Sequence, residues 1–530
     1  MEAYTPIPEV DLAYKTLQTT FRSGRTKELA WRKWQLKQVW WLVEDNQQRI
    51  IDALNKDMNR HAFETTFADC MTVKTDVVDH LKNIDNWAAD QPVDANMVMK
   101  ALLRPCVRPE PLGVALIIGP WNFPVSLVLQ PMVAAIAAGC AVLIKPSEVT
   151  LACQALLVEL IPKYMDPSAV RIVTGGPAET TALLERKFDH IFFTGSVGVA
   201  RHVARAAARH LTPTVLELGG QCPAIVTKSA DVDAAARDIA WAKYLNSGQI
   251  CLSVNHVFAH PDIQAKLIER MAFYFAEYAK NGADEMTHIV NQKNYERLKG
   301  LIEKTQGKIE CGGTLEASKN RIAPSVVSGV TMDDSLLSEE LFGTICPVLT
   351  ASTEEAVTAI NDLPRPLAIY IFSKNQREIS HVISSTISGG VTVNGTIIHS
   401  SVPSAPFGGV GDSGHGYYHG KHGFQAFTHL RTIARPVPLF GKLTSFLRPP
   451  YSVDRIKWIG VRQNLGIRRG WTLDDERRIA RQGGLLRLPV RFFQILAFIA
   501  ALGLVDHQMA GRLGIVQRLQ GLTDFIRNFF

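Results

Sequence analysis

Cys251 is the residue whose type and setting most directly suggest covalent chemistry. It lies in the segment NSGQICLS, just beyond a predicted helix end, where Ser247 and Gly248 allow a tight turn and an accessible thiol. A thiolate that adds to an aldehyde carbon makes it tetrahedral, so that hydride can leave and water can later remove the acyl group. A single cysteine is more often a small buried hydrophobic residue, so this interpretation depends on the residues placed with it.

Two other polar residues would complete such a reaction. Glu217 lies in the apolar, strand-like segment TVLELGGQCP, where burial would raise its pKa and suit it to take a proton from attacking water. Asn122, in IIGPWNFPVS, follows a predicted strand and could donate its amide N–H to an oxyanion, with the backbone N–H of Cys251 as the second donor. An ion-paired carboxylate and a turn-forming asparagine are the structural alternatives.

Two further segments suggest a dinucleotide site. In FTGSVGVA, a strand followed by a helix places Gly195, Ser196 and Gly198 at a helix N-terminus, where backbone N–H groups can bind a pyrophosphate. The spacing is not GxGxxG, and a tight turn explains it equally well. In LIKPSE, Lys145 and Glu148 follow another strand, where they would bind ribose hydroxyls or form only a surface salt bridge.

These residues need an α/β framework to bring them together. Short apolar strands closed by Gly or Pro, such as LGVALIIGP, CAVLIKP and FDHIFFTGS, alternate with Ala-rich helical stretches from about residue 112. The alternation resumes from about residue 218, which predicts a second α/β unit, and residues 27–58 have the apolar spacing of a helix. The fold class is therefore α/β, and 530 residues exceed what one ordinary core accommodates.

Composition narrows the class of protein. Hydrophobic residues make up 46% and charged residues 20% of the chain, values typical of folded enzymes rather than disordered or fibrous proteins. The eight cysteines are scattered without CxxC or clustered His/Cys spacing, so we expect no metal site. The N-terminus lacks a basic start and an apolar run, so we expect the protein not to be secreted and its thiols to stay reduced.

The last hundred residues are strongly basic, with 17 Lys and Arg against 6 Asp and Glu in 431–530. The apolar run 492–505 has 14 residues, short of the roughly 20 that a spanning helix needs. The final segment mixes arginines with apolar residues at helical spacing, which favours a helix on a membrane surface: Arg512, Ile515, Arg518, Leu519, Leu522, Ile526, Arg527 and Phe529. Packing on the enzyme body or a dimer partner is the alternative, and the absence of a recognisable nucleic-acid motif argues against nucleic-acid binding.

Seven motifs occur in an order that resembles the aldehyde dehydrogenase superfamily: PWNFP, KPSE, FTGS, LELGG, GQIC, EELFG and PFGGVGDSG. The resemblance covers about residues 10–435, and HLTPTVLELGG, GGVTVNGTIIHSSVPSAPFGGVGDSGHGYYHGKHGF and the short N-terminus look most like the class 3 and fatty aldehyde dehydrogenase branch. It implies a homodimer. It also implies a Rossmann-like NAD-binding domain (1–80 and 105–217), an α/β catalytic domain (218–405), an oligomerisation arm (81–104 and 406–445) and a basic, apolar, membrane-associating tail (446–530).

The resemblance further implies a role for each motif residue. These roles are Cys251 as nucleophile, Glu217 as general base, Asn122 as oxyanion donor, Lys145 and Glu148 at the adenosine ribose, Gly195 and Ser196 near the pyrophosphate, and Glu340 and Phe342 at the nicotinamide ribose and ring. Ala200 stands where the family's cofactor turn usually has a second glycine, and Thr344 where EELFG is usually followed by proline. A glutamate at position 148 disfavours a 2′-phosphate in this family, so NAD is expected, with NADP tolerated.

The implied reaction is oxidation of an aldehyde to a carboxylic acid through a Cys251 thiohemiacetal and thioester. Since some fatty aldehyde dehydrogenases resemble this chain in carrying an apolar C-terminal anchor, long-chain aliphatic aldehydes come first, and the enzyme would face the cytosol on a membrane. An apocarotenal of carotenoid metabolism is the nearest alternative, and an aldehyde of benzaldehyde size is third. A catalytically dead membrane scaffold is the alternative of another class, which intact Cys251, Glu217 and Asn122 disfavour.

Overall fold

Helices and strands alternate along most of the chain, as the apolar spacing predicts. The computed structural model describes residues 4–95, 97–282, 285–402, 404–452, 470 and 472–482. The strands are β1 Gln91–Pro92, β2 Cys106–Pro111, β3 Val114–Ile118, β4 Ala141–Lys145, β5 Val170–Ile172, β6 His190–Thr194, β7 Thr214–Glu217, β8 Pro223–Val226, β9 His256–Ala259, β10 Lys308–Cys311, β11 Leu315–Glu316, β12 Arg321–Ile322, β13 Ser325–Ser328, β14 Ile345–Thr350, β15 Ala368–Phe372, β16 Gly390–Val393, β17 Gly414–His415 and β18 Thr428–Ile433. The α-helices are α1 Ile7–Arg22, α2 Leu29–Asp45, α3 Gln47–Met58, α4 Ala62–Thr65, α5 Thr72–Ala88, α6 Met97–Leu103, α7 Ser126–Ala138, α8 Leu151–Tyr164, α9 Pro177–Leu184, α10 Val197–His210, α11 Val232–Tyr244, α12 Gln264–Tyr278, α13 Gln292–Lys304, α14 Thr353–Asp362, α15 Gln376–Ser385, α16 Gly420–Ala426, α17 Phe440–Leu443 and α18 Leu473–Gln482.

Six strands form a sheet in the order β17-β7-β6-β3-β4-β5, in which all neighbours are parallel except the edge pair β17 and β7. Every residue of β3 and β4 is buried, which explains their uninterrupted apolar sequences. Because parallel strands point the same way, Ile118, Lys145, Thr194 and Glu217, the last residues of β3, β4, β6 and β7, lie along one edge. This carboxyl edge is where open α/β sheets bind ligands.

Helices cover both faces of this sheet. Successive side chains of β3 point to opposite faces, so Ala115 and Ile117 pack in the apolar core that contains α7, while Leu116 and Ile118 pack in the core that contains α1. Burying one such large aliphatic side chain stabilises the fold by about 1.5–3 kcal/mol. The two cores therefore fix the sheet from both sides and hold its carboxyl edge in place.

A second sheet has seven strands in the order β10-β13-β14-β9-β8-β15-β16. Its edge strand β10 is antiparallel to β13, and the other pairs are parallel. Strands β8, β9 and β15 are buried throughout. The segment NSGQICLS connects α11 to β9, so this sheet positions Cys251. The two sheets confirm the predicted α/β class.

Three strands that are distant in the sequence form a separate antiparallel sheet, β1-β2-β18. Strands β2 and β18 pair from Cys106 opposite Ile433 to Pro111 opposite Thr428, and most of β18 is exposed. The chain as a whole divides into two compact units, Met1–Pro438 and Leu439–Phe530. The finer division into cofactor, catalytic and arm domains stays a prediction.

The helical pattern of residues 27–58 is divided into two helices, α2 and α3, at Asn46. Asn46 leaves the helical conformation with φ −118° and ψ 15°. Its Nδ2 donates to the carbonyl oxygen of Leu42 at 3.0 Å and to the hydroxyl oxygen of Tyr164 at 3.1 Å. Asparagine competes with helical hydrogen bonds in this way, and apolar spacing alone does not reveal such a break.

The second unit contains α17 and α18. Helix α18 begins after Thr472, whose backbone N–H and hydroxyl donate to Asp475 Oδ2 at 2.9 and 2.8 Å. The predicted apolar run 492–505 and the predicted interfacial segment 512–529 lie outside the described residues. Across the ranges that the structure describes, no helix combines the length and the apolar composition needed to cross a membrane.

Candidate active site

The backbone around Cys251 is fixed by one side chain of the seven-stranded sheet and one from the segment just before β8. Cys251 itself is partly buried. Its carbonyl oxygen accepts a hydrogen bond from Cys222 Sγ at 3.3 Å, and the next carbonyl oxygen, of Leu252, accepts one from the Tyr370 hydroxyl at 2.5 Å. The thiol therefore sits on a segment whose main chain is anchored on both sides of its peptide bond.

The turn Leu245–Gly248 before Cys251 has an unusual backbone. Asn246 and Ser247 have positive φ angles of 50° and 54°. Such a conformation costs a residue other than glycine about 1–3 kcal/mol and persists where its surroundings hold it. Glu64 accepts a hydrogen bond from the Asn246 backbone N–H at 3.0 Å, and the Ser247 hydroxyl donates to the carbonyl oxygen of Thr287. These contacts keep the tight turn that the serine and glycine of NSGQIC predict.

The environment of the Cys251 thiol disfavours its ionisation. Burial raises the pKa of the thiol above its usual range, and the carboxylates of Glu340 and Glu217 raise it further. The thiol is therefore protonated at rest, and a thiolate forms when a neighbouring base takes its proton. The two carboxylates that act on the thiol are both residues that the sequence singled out.

Glu217 is buried at the end of β7, with 3% of its surface exposed. Neither of its carboxyl oxygens has a hydrogen-bond partner among the described residues, so these residues do not supply the ion pair of the structural alternative. Burial raises the pKa of Glu217 well above its usual value. Close packing fixes its place, because a Cβ on Gly408 would stand 3.1 Å from Oε1. A carboxyl group in this setting holds its proton more strongly than an exposed one does.

Asn122 follows β3 and is held against the segment that precedes Cys251. Its Nδ2 donates to the carbonyl oxygen of Gln249 at 3.2 Å. Gln249 is itself fixed, since its Nε2 donates to the carbonyl oxygens of Asn246 and His288 at 3.1 and 3.0 Å. An amide nitrogen carries two hydrogens, so the bond to Gln249 orients the amide and leaves the second hydrogen for a reacting oxygen.

Sequence reasoning missed three residues that hold this arrangement: Arg60, Asn246 and Gln249. The side chain of Arg60 donates to Asn246 Oδ1 at 3.1 Å from Nε and at 2.6 Å from Nη2, although the two residues are 186 positions apart. Gln249 and Asn246 lie in the quoted motif NSGQIC, where polar residues beside a reactive cysteine could have been a signal. Arg60 lies in DMNRHAF, which offers none.

Glu340 reaches the site from the segment EELFG. A Cβ on Gly219 would overlap Oε1 of Glu340, so the glycine at this position of LELGG leaves room for the carboxylate. Burial raises the pKa of Glu340 to about 7. The Gly220 backbone N–H and the positive charges of Arg297 and Lys243 oppose this shift. Lys243 is buried in turn, and burial lowers its pKa to about 8. Glu340 is thus a carboxyl group whose pKa lies near neutral pH.

Phe342 lies beside the loop that carries Asn122. Its ring is 5.3 Å from that of Trp121, at an interplanar angle of 79°, in an edge-to-face contact. Phe342 has a positive φ of 48°, and the preceding backbone N–H, of Leu341, donates to Asn255 Oδ1 at 2.8 Å. The structure therefore brings EELFG and PWNFP together, as their predicted shared role at one site requires.

Lys145 and Glu148 form an ion pair at the end of β4. The lysine is buried and the glutamate is about one-third exposed, at 32% of its side chain. The ion pair itself fits the interpretation of LIKPSE as a salt bridge. The partly exposed carboxylate also leaves room for the second interpretation, a site for hydroxyl groups.

The segment FTGS leads from β6 into α10, as predicted. Ser196 precedes the helix, and its side chain makes no capping hydrogen bond within the described part of the chain, so the first backbone N–H groups remain for an anion. Gly195 packs against Phe193, where a Cβ would stand 2.6 Å from the ring. Gly198 has open space, with no atom within 4 Å of an added Cβ.

The two departures from the family pattern are accommodated by the fold. Ala200 is buried in the apolar core behind α10, so its methyl group contributes to packing. Thr344 is buried as well, and its hydroxyl donates to the carbonyl oxygen of Ile322 at 3.0 Å. A threonine in place of proline is thus satisfied by hydrogen bonding. Neither side chain displaces Cys251, Glu217 or Asn122.

A dinucleotide fits the residues along the carboxyl edge of the six-stranded sheet. An uncapped helix N-terminus, a buried lysine and a partly exposed glutamate follow two of its strands, and the titrating carboxylate of Glu340 lies beside Cys251. Within the described ranges no group of three or more His, Cys, Asp or Glu residues could hold a metal ion. The arrangement combines a partly buried thiol, an oriented amide, a buried carboxyl group without a hydrogen-bond partner among the described residues, and an uncapped helix N-terminus.

Comparison with known proteins identifies the family of this chain. Residues 5–433 match the family model described as the aldehyde dehydrogenase family. The chain is 41% identical over 423 residues to the dimeric NADP-preferring aldehyde dehydrogenase of Rattus norvegicus, covering 79% of this chain and 92% of that protein. It is 38% identical over 458 residues to the β-apo-4′-carotenal oxygenase of Neurospora crassa, covering 86% of each. The substrate-bound structure of Staphylococcus aureus AldH superimposes with a TM-score of 0.79 at 31% identity, covering 83% of this chain and 99% of that one.

Proposed function

Because this chain belongs to the aldehyde dehydrogenase family and oxidises aldehydes with NAD(P), we propose that its substrate is a long, lipophilic aldehyde, converted to the acid through a covalent adduct on Cys251. In this proposal Cys251 is the nucleophile, Asn122 the oxyanion donor and Glu217 the base. The observation that carries it is the setting of Glu217. Its carboxyl group is buried without a hydrogen-bond partner among the described residues, and its charge acts on the Cys251 thiol.

The first step joins Cys251 Sγ to the carbonyl carbon of the aldehyde. Glu217 takes the thiol proton and passes it to solvent, which offsets the raised pKa of the thiol. The carbonyl oxygen gains negative charge, and the free amide hydrogen of Asn122 and the backbone N–H of Cys251 stabilise it. The bond from Asn122 Nδ2 to Gln249 means that the amide is oriented before the substrate arrives.

The second step releases the product. A bound NAD(P) would supply the hydride acceptor, and loss of hydride from the tetrahedral adduct would leave a thioester on Cys251. Glu217 then takes a proton from water, and the resulting hydroxide attacks the thioester carbon and expels the Cys251 thiolate. The thiolate takes the proton from Glu217, so that both groups return to their starting states as the acid leaves. Burial suits Glu217 to both proton transfers, because its raised pKa makes it a stronger base than an exposed carboxylate.

The cofactor is held by groups at the carboxyl edge of the six-stranded sheet. We assign the adenosine ribose to Lys145 and Glu148, and the pyrophosphate to the N-terminus of α10 with Gly195, Ser196 and Gly198. The nicotinamide half is assigned to Glu340 and Phe342, which lie beside Gly219 and Trp121. Ala200, a buried residue of α10, supports the FTGS turn from within the core.

Replacement of the nucleophile tests the covalent route. The Cys251→Ala enzyme is expected to lose aldehyde oxidation completely and to bind NADH with unchanged affinity, measured by the change in NADH fluorescence on binding. Cys106→Ala, at a half-exposed thiol on β2, is the matched control and should leave the rate unchanged. A Cys251→Ala enzyme with full activity would refute the mechanism.

A lipophilic substrate is supported by an exposed aromatic surface beside the site. Phe63 and Phe67 stack with ring centroids 6.2 Å apart, and 70% and 43% of their surfaces are exposed. They flank Glu64, which accepts the hydrogen bond from the Asn246 backbone N–H in the turn before Cys251. Exposed aromatic pairs of this kind are favourable contacts for an alkyl or polyene chain.

The substrate class is tested by NADH formation across aldehydes of increasing chain length, assayed with the full-length enzyme in detergent. For a fatty aldehyde dehydrogenase we expect kcat/KM to rise with chain length, and Phe63→Ser with Phe67→Ser to reduce the values for long chains more than for propanal. Equal kcat/KM for all lengths, or a preference for benzaldehyde, would contradict the lipophilic substrate.

An apocarotenal is the second candidate substrate. It is favoured by the similarity to the Neurospora crassa β-apo-4′-carotenal oxygenase, which extends over 86% of both chains. Inclusion of one apocarotenal in the same series decides between the two, because a kcat/KM well above that of every saturated aldehyde would assign the enzyme to carotenoid metabolism.

We further propose a homodimer that associates with the cytosolic face of a membrane through its basic tail. A dimer is supported by the Rattus norvegicus relative, whose name describes it as dimeric. The tail's arginines and apolar residues support membrane binding. Co-sedimentation with anionic vesicles should be lost when Arg512, Arg518 and Arg527 are all replaced by glutamate, while light scattering should still give a dimer. Unchanged co-sedimentation would refute the role of the tail.

A further inference from the structure

Arg60 is completely buried, and its guanidinium bonds to separate parts of the site. Nη1 donates to Asp69 Oδ2 at 2.9 Å, and Nε and Nη2 donate to Asn246 Oδ1 at 3.1 and 2.6 Å. Nη2 also donates to the carbonyl oxygen of Asn122, and the guanidinium carbon lies 4.8 Å from the centre of the Phe123 ring. One side chain thus joins the loop of the proposed oxyanion donor to the turn before the nucleophile.

Asp69 extends this cluster to the far end of the same loop. While its Oδ2 accepts from Arg60, its Oδ1 accepts from the backbone N–H of Ser126, the first residue of α7, at 2.9 Å. The connection between β3 and α7 is therefore held at Asn122 by the arginine and at Ser126 by the aspartate. We call Arg60, Asp69 and Asn246 the Arg60 cluster.

Asn246 transmits the position of Arg60 to the nucleophile segment. Because its Oδ1 accepts from Arg60, its Nδ2 points the other way and donates to the carbonyl oxygens of Asn122 and Gln249 at 3.2 and 3.1 Å. The same Gln249 oxygen accepts from Asn122 Nδ2 at 3.2 Å. The Asn122 amide is therefore locked to a carbonyl group only two residues before Cys251.

We infer that Arg60 is a positioning residue, which sets the orientation of the Asn122 amide relative to Cys251 and thereby the geometry of oxyanion stabilisation. This inference rests on the proposed role of Asn122. Arg60 does not touch the reacting atoms. Donors to an oxyanion act through preorganisation, and a displacement of about 1 Å at a reacting centre can reduce a rate by about 100-fold.

The geometry requires a guanidinium rather than any cation. A guanidinium presents five N–H groups in a plane and can bond in different directions at once, whereas a lysine ammonium is a single point. An ammonium at position 60 could keep the ion pair with Asp69 but could not also hold Asn246 and Asn122 in the observed directions. Arg60→Lys should therefore preserve charge and lose positioning.

A second buried arginine provides a matched control. Arg32 is 6% exposed, and its guanidinium donates to the carbonyl oxygens of Thr26, Ala137 and Lys27 at 3.1, 3.2 and 2.9 Å. These partners are backbone groups of the segment before α2 and of α7, and none belongs to the proposed site. Loss of Arg32 should cost stability without altering the catalytic geometry of the molecules that remain folded.

The experiment compares Arg60→Lys and Arg60→Met with Arg32→Met in the full-length enzyme. For each we measure kcat and KM per folded molecule, the melting temperature, and the rate at which iodoacetamide alkylates Cys251, followed by mass spectrometry. Alkylation uses the same sulfur but builds no oxyanion. We expect both Arg60 variants to lose about 100-fold in kcat with KM changed less than threefold, and Cys251 alkylation to stay within threefold of the unmodified enzyme.

Three outcomes would overturn the inference. These are a kcat within threefold for Arg60→Lys, a loss of kcat per folded molecule in Arg32→Met as large as in Arg60→Met, or alkylation that falls in parallel with oxidation. If Arg60→Met does not fold, Asn246→Asp decides, because it keeps the size and the oxygen facing Arg60 and removes the donor to Asn122 and Gln249. It should reproduce the loss of kcat, and full activity would refute the inference.

The failure of this inference can be told apart from failure of the proposed mechanism. Asn122→Ala is expected to reduce kcat by about 10²–10³-fold if the amide stabilises an oxyanion. The double variant Asn122→Ala with Arg60→Met should then be no slower than Asn122→Ala alone, since Arg60 acts through that amide. Additive losses would refute the inference with the mechanism intact, while an unaffected Asn122→Ala enzyme would refute the oxyanion role itself.

Discussion

Two buried polar regions lie beside Cys251, and they differ in how their hydrogen bonds are satisfied. In the Arg60 cluster, the arginine and the aspartate pair with each other and with backbone groups. At Glu217, neither carboxyl oxygen has a partner among the described residues. An unsatisfied buried polar group costs about 1–3 kcal/mol or more. The first region is built to hold atoms in place, and the second keeps a group free to exchange protons.

The two regions should therefore respond in opposite ways to mutation. Removing charge from a satisfied cluster leaves its partner uncompensated, so the free energy of unfolding should fall. Removing charge from Glu217 eliminates an unfavourable burial, so the rate should fall while stability is kept.

The largest effect is expected for Glu217→Gln, which keeps the shape of the side chain and removes its basicity. We expect the rate of thioester hydrolysis to fall by about 10²–10⁴-fold, because a positioned base contributes that much. Rapid mixing should show that one equivalent of NADH per site still forms, more slowly because Glu217 also takes the thiol proton, and that turnover is slower still. A Glu217→Gln enzyme that turns over at the normal rate would assign water activation to another group, with Glu340 the first to test.

The pH dependence of the free energy of unfolding in the same variant, Glu217→Gln, tests the difference between the two regions. Burial raises the pKa of Glu217 above its usual 4.5, so the folded state binds a proton that the unfolded state releases as pH rises above that value. The unmodified enzyme should thus lose stability relative to Glu217→Gln as pH rises from about 4.5. Urea unfolding between pH 5 and 8 measures the difference, and a difference that shrinks with pH would show that Glu217 is ionised and stabilising.

Asp69→Asn should lower the free energy of unfolding, in contrast to Glu217→Gln, which should keep it. It breaks a fully buried ion pair, and loss of one partner of such a pair costs about 3–5 kcal/mol in the free energy of unfolding. Asp233→Asn, which breaks the solvent-exposed pair with Arg270, is the control and should cost less than about 1 kcal/mol. Equal losses in urea unfolding would show that burial does not distinguish the Arg60 cluster from a surface contact.

The sequence predicted the second region far better than the first. Glu217 interrupts an apolar strand next to two glycines, so its local pattern is conspicuous, and the apolar runs around it correctly predicted the α/β class of the fold. Arg60 bonds to Asn246 and Asn122 across 186 and 62 positions, and no local spacing reports contacts of that length. The break at Asn46 was missed for a related reason, because a side-chain hydrogen bond and not hydrophobicity determines it.

Glu340 is intermediate between the Arg60 cluster and Glu217 in how well its buried charge is stabilised, and Gly219→Ala tests its role. The carboxylate is stabilised by the Gly220 backbone N–H and by nearby positive charges, yet its pKa is still raised to about 7. An added Cβ at Gly219 would overlap Oε1 and displace the carboxylate. We expect KM for NAD(P) to rise about tenfold, or about 1.4 kcal/mol.

Gly300→Ala is the control for that substitution. It lies in α13, where an added Cβ meets no atom within 4 Å, so it should leave KM unchanged and add a fraction of a kcal/mol of helix stability. An unchanged KM for NAD(P) in Gly219→Ala as well would show that Glu340 can move without loss of cofactor binding. Its setting would then resemble neither the Arg60 cluster nor that of Glu217.

The smallest effect is expected at Glu148, the most exposed of these carboxylates, which pairs with Lys145 at the rim of the site. Water screens a charge in such a position, so its removal should change cofactor choice rather than chemistry. Glu148→Gln should raise kcat/KM with NADP relative to NAD by about fivefold, the ratio that about 1 kcal/mol of charge repulsion produces. Its kcat with saturating NAD should be unchanged. If kcat instead falls as far as in Glu217→Gln, the exposure and pairing of a carboxylate do not predict whether it takes part in the reaction or in cofactor binding. The difference in hydrogen bonding between the Arg60 cluster and Glu217 would then not explain their different roles.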